Sequence, residues 1–173
     1  MSGSWKVDWS DTSDAALREL LRQGELFLQG TIQLGVAADQ RAVALSTRFG
    51  GGAIALLAAA ATVLAGSHPN LAMEWAATVT AAFLFVGSFL AALAAHPVDF
   101  FVGGYAPKLL QASSSDEMWM LRYVVQDVQI RIDTNRAAIS RAAALSSNAL
   151  RVAGFGIFSG IVVFAILTLR SGG

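Results

Sequence analysis

The stretch RAVALSTRFGGGAIALLAAAATVLAG, Arg41 to Gly66, decides the fold. It carries charge at Arg41 and Arg48 and none beyond; from Phe49 to Met73 there is no Lys, Arg, Asp or Glu. About 20 apolar residues in a helix cross a hydrocarbon core, so residues 49–66 read as a first span. A near-copy of the opening phrase, RAAALS, begins at Arg141 and again precedes glycines and an apolar run. That run, VAGFGIFSGIVVFAILTL, places a span over residues 152–170. Between the two, WAATVTAAFLFVGSFLAALAA supplies another at residues 75–95. The pair 49–66 and 75–95 forms a transmembrane hairpin over 49–95.

Composition agrees. The chain is 55% hydrophobic and only 14% charged, with mean hydropathy +0.56, whereas soluble domains sit nearer 25% charged. Formal net charge is zero, so nothing favours nucleic acid as a partner. Cysteine is absent, and the two histidines, His68 and His96, lie far apart; a zinc centre needs three or four ligands. No nucleophile–base set, paired-carboxylate motif or phosphate loop appears, and the spans hold no ionisable side chain, which disfavours ion-coupled transport. The expectation is a non-enzyme with no cofactor and no metal. The N-terminal MSGSWKVDWSDTSD lacks an apolar core and reads as no signal peptide.

Eleven of the twelve Lys and Arg precede the first span or lie between the second and third; only Arg170 follows the third, and the connector SHPNLAME has neither. The positive-inside rule places the N-terminus and residues 96–151 in the cytoplasm and the C-terminus outside. Arg41, Arg48, Arg141 and Arg151 then sit at headgroup level, where cations meet anionic lipid. Trp75 falls in the outer aromatic belt.

Residues 1–48 read as a cytoplasmic N-terminal helix, starting near residue 13 and running into the membrane; Leu17, Leu20, Leu21, Phe27, Leu28, Leu34, Ala38 and Leu45 give its apolar face. Residues 96–151 read as a linker followed by an amphipathic helix. Ser114 and Glu117 make a capping box, and Met118, Leu121, Val125, Val128, Ile132, Asn135, Ile139 and Ala142 alternate spacings of three and four, a coiled-coil seam. On it Val128, Ile132, Asn135 and Ile139 are candidate packing residues; the polar Asn135 would select register or oligomer number. The competing reading is an amphipathic helix packed on the first helix of its own chain. In the third span Gly156-x-x-x-Gly160 permits close helix contact, within one subunit or between subunits. Gly103 and Gly104, in FFVGGYAP after the second span, are a candidate hinge.

The fold expected is an all-α integral membrane protein with three transmembrane helices. Two long cytoplasmic helices continue into the first and third spans, and a stalk projects from the membrane. The order of these elements, with AADQRAVAL before the first span and HPVDFFVGGY after the second, resembles the small transmembrane effectors of bacterial anti-phage systems. The likeness is to the Pycsar type and, more loosely, the SLATT membrane effectors. It covers most of residues 30–170. It implies membrane disruption on a cyclic-nucleotide or protein signal, and no nucleotide pocket carries over residue by residue. Two functions follow as expectations. One is a homo-oligomer that forms or regulates a membrane pore. The other is a non-catalytic accessory subunit that scaffolds a membrane or cytoplasmic complex.

Overall fold

A computed structural model describes residues 12–66, 70–96 and 117–171, and all regular structure among them is helical. Helix α1 runs Asp14–Leu64, α2 Leu71–Ala94 and α3 Glu117–Ser171. All three are long and apolar enough to cross a membrane. The glycines of α1 do not interrupt it: one helix runs from the charged N-terminal half through the whole apolar run, as its unbroken periodicity and lack of proline predict. The α2 helix begins at Leu71, four residues before the expected Trp75. Asn70 caps it, its side-chain carbonyl accepting from the Met73 amide at 3.1 Å, which satisfies one of the free donors at a helix start. The start of the α3 capping box, Ser114, lies outside the described residues, as do Gly103 and Gly104.

The inward faces of the long helices keep a heptad period from end to end. On α3, Leu121, Val128, Asn135, Ala142, Ala149 and Gly156 form one line of buried or half-buried residues, and Val125, Ile132, Ile139, Ser146, Ala153 and Gly160 the other. On α1 the lines are Leu17, Gly24, Thr31, Ala38, Leu45, Gly52 and Leu21, Leu28, Gly35, Ala42, Phe49, Leu56. Spacings of three and four sustained this long are the pattern of coiled-coil packing.

The contacts divide the chain into two units, one from Met1–Gly35 with Asp99–Ala138, the other from Val36–Val98 with Ile139–Gly173. In the first, Leu17 packs with Leu121 and Val125, and Leu28 with Val124, Val128 and Ile132. Higher numbers on α1 meet higher numbers on α3, so the two helices run parallel. A Cβ on Gly24 would lie 2.6 Å from Val128 Cγ1, so that crossing needs glycine. On an outer face Arg22 donates to Glu19 at 2.7 and 2.9 Å, and Arg131, half-buried, donates to Asp127 at 2.6 Å.

The second unit is a three-helix bundle around Ala53, Ala81, Leu84 and Ala153, with Phe49 and Leu56 against them. Here α2 runs antiparallel to both neighbours: Gly50 meets Ser88 and Gly52 meets Leu84, while Gly87 meets Ala149 and Ala153, and Gly156 meets Phe83. Phe83 and Phe155 pack edge-to-face at 5.3 Å. Only 11–22% of the most apolar windows is buried. Ile54, Phe89, Phe158, Ile161 and Leu169 point outward, an exposed apolar band far beyond what water tolerates and one that suits lipid.

Candidate functional site

The α3 seam changes character along its length, from large side chains to small ones. Toward the N-terminal end the buried residues are large: Leu121, Val125, Val128, Ile132. In water, burying such side chains contributes about 1.5–3 kcal/mol each. Toward the C-terminal end they shrink to Ala149, Ala153, Gly156 and Gly160. In lipid no hydrophobic force draws helices together, and association rests on close backbone approach by small residues. A Cβ on Gly156 would overlap Phe83 Cβ; on Gly160 it would overlap Thr80 Oγ1 and stand 3.0 Å from the Ala76 carbonyl oxygen.

Asn135 is 1% exposed, and Val128 and Ile132 are buried with it in the first unit. Ile139, Gly156 and Gly160 lie on the inward side of the second. The contacts of Val128, Ile132, Gly156 and Gly160 described above are all within one chain. Hydroxyls of the apolar segments find two kinds of partner. The exposed Thr62 and Thr168 and the part-buried Thr80 donate to carbonyls three or four residues earlier at 2.8 Å, as expected of span hydroxyls. Ser88 departs from that expectation: it donates across to the Ser46 carbonyl on α1 at 2.8 Å, with the two hydroxyls 3.3 Å apart.

Ser46 closes the phrase RAVALS, and both copies of the phrase face alike. Arg41 and Arg141 are exposed, as are the third and fourth residues, while the second, fifth and sixth turn inward. The shared wording is thus a shared facing: arginine out, Ala, Leu and Ser in. Arg48 and Arg151 are also exposed. Arg41 and Arg48 line a cavity of about 600 Å³, together with Ala37, Gln40, Ala44 and Leu45.

Two apolar surfaces of the first unit stay uncovered, one of them the Leu20, Phe27 and Leu34 part of the apolar face expected for the N-terminal helix. Leu20, Phe27 and Leu34 repeat every seven residues on α1, beside its seam, and stay 41%, 42% and 63% exposed. The Arg136 guanidinium lies 4.8 Å from the centre of the Phe27 ring. On α3, Trp119 and Tyr123 stack at 5.6 Å, both exposed, on the side away from the seam. The heptad spacing of the first set was visible in the sequence; its exposure was not, since that depends on which side α3 covers.

Comparison with known protein families, with curated proteins and with solved structures finds no match for this chain.

Proposed function

We propose that this chain is a non-enzymatic, homo-oligomeric protein of a bacterial inner membrane that forms or regulates a pore. In this reading residues 14–48 and 117–151 form a cytoplasmic stalk that receives the signal. The carrying observation is the Leu20, Phe27 and Leu34 stripe, exposed on a helix that also carries the Arg18–Asp14 and Arg22–Glu19 pairs. It repeats with the seam's own period and borders it, so a second copy with the same period is its natural occupant. The bundle interior of one chain is filled by its own side chains, so a conduction path requires several copies. Arg41, Arg48, Arg141 and Arg151 would meet anionic headgroups at the inner face. Resemblance alone suggests a cyclic-nucleotide or protein signal and a role in anti-phage defence.

Native mass spectrometry in several detergents, with a membrane-potential dye during induced expression, tests the reading. Oligomers together with depolarisation under some signal are expected. A protein that stays monomeric at every concentration overturns it.

A second reading, the scaffolding accessory subunit, draws on the exposed Trp119–Tyr123 stack. Stacked aromatics are enriched where proteins dock. Oligomers that never alter membrane potential, with a partner lost on Trp119→Ala, would favour it.

A further inference from the structure

We infer that the α1 face bearing Arg41 and Arg48 is a discrete binding site for a phosphate-bearing anion. The inference deepens the headgroup contact proposed above: it separates these two arginines from Arg141 and Arg151.

Four observations carry it. First, Arg41 and Arg48 line one cavity of about 600 Å³, large enough for a phosphorylated group. They are seven residues apart, about 10.5 Å along the helix, and two turns bring both to the same face. Second, Ala37 and Ala44 lie between and beside them on that face. A side chain that ends at Cβ leaves room for an anion to come close to the helix. Third, Gln40 adds an amide donor, and no carboxylate lines the cavity among the described residues. Fourth, no ion pair holds Arg41 or Arg48 among the described residues, whereas Arg18, Arg22 and Arg131 are tied to acids on their own helices.

Guanidinium forks match phosphate oxygens bidentately, and such charge-assisted bonds are the strong ones. Two of them with the Gln40 amide beside Arg41 offer a phosphate three donor groups around one cavity. Arg48 immediately precedes the uncharged run, which puts the cavity at the water end of the span. The phosphate can therefore come from a lipid headgroup or from a soluble phosphoester; the recognising chemistry is the same.

The test uses the full-length chain in detergent, titrated separately with phosphatidylglycerol, phosphatidylcholine and inorganic pyrophosphate, and read by native mass spectrometry and thermal shift. Three proteins are compared: wild type, the double variant Arg41→Gln with Arg48→Gln, and the double variant Arg141→Gln with Arg151→Gln. The proposal expects wild type to prefer phosphatidylglycerol or pyrophosphate over phosphatidylcholine. It expects the first double variant to lose at least about ten-fold in affinity for its phosphate ligand, as loss of a charge-assisted hydrogen bond brings, and the second, whose arginines make only headgroup contact, to lose clearly less than the first. Binding of phosphatidylglycerol alone assigns a lipid source, and of pyrophosphate a soluble one. Equal weakening by both double variants reduces the effect to general electrostatics and overturns the site. So does the absence of any preference for phosphate anions. Liposome flotation of wild type reads the membrane assignment separately, so its failure leaves the pyrophosphate result standing.

Discussion

Gly154 and Gly160 are both helical glycines of the third span, yet opposite outcomes are expected for them. A Cβ at Gly154 meets nothing within 4 Å, so Gly154→Ala should gain up to about 1 kcal/mol of helix propensity. At Gly160 the same methyl collides with Thr80 and with α2 backbone, and overpacking costs about 1–3 kcal/mol. Thermal melts in one detergent, followed by circular dichroism, should therefore move in opposite directions; a rise for Gly160→Ala would refute the contact. Asn135 poses a different question, because it is buried inside one chain. A polar residue on a seam lowers stability relative to an apolar one. Asn135→Leu should raise the melting midpoint and leave the native-mass distribution unchanged; a shift in copy number would instead give Asn135 a role between chains. Glu19 offers a pH test. Hydrogen bonds from Arg22, then Gln23, hold its carboxyl down at about 2 against an ordinary 4.5. A depressed folded value means the pair's contribution is complete above pH 4.5 and disappears as pH falls toward 2. Both groups are exposed, so the effect is small; Glu19→Gln should flatten that part of an acid titration of helicity, and an unaltered curve would count against the pair.

At the scale of the helix, α1 has two apolar faces where a simple pair needs one. The seam of Leu17, Leu21 and Leu28 is consumed by α3. The neighbouring stripe of Leu20, Phe27 and Leu34 is not, and it is the face that the proposed oligomer would cover. Changing all three to Ser should convert oligomers to monomers while far-ultraviolet circular dichroism stays unchanged, because these side chains are exposed within one chain. Loss of helicity would show that they support the chain itself. The α3 seam was legible in the sequence from Met118 to Ala142 through its three–four spacing. Its continuation to Gly156 and Gly160 obeys the same count, but glycine carries no hydrophobic signal. Only the contacts with Phe83 and Thr80 reveal it as packing surface.

For the whole molecule, orientation is a matter of where cations sit. Reporter fusions at Gly173 should be active only when the reporter works outside the cytoplasm, since eleven of twelve Lys and Arg flank the opposite face. Activity confined to cytoplasmic reporters would reverse the orientation and remove the proposed cytoplasmic stalk.

The sequence by itself determined that three uncharged stretches form helices able to span a membrane, because length and apolarity are local properties that need no partner. It determined also that α1 and α3 are continuous, since no proline or charge cluster breaks their periodicity. Tertiary structure alone decided which faces close on one another: that Gly87 admits α3, that Ser88 reaches Ser46, and that Leu20, Phe27 and Leu34 are left over. Periodicity assigns residues to a face, but the partner covering that face comes from distant parts of the chain. The cavity beside Arg41 and Arg48 has the same origin: Arg41 and Arg141 open a near-identical phrase and Arg48 and Arg151 precede apolar runs, so the sequence alone gives no sign that one pair lines a cavity.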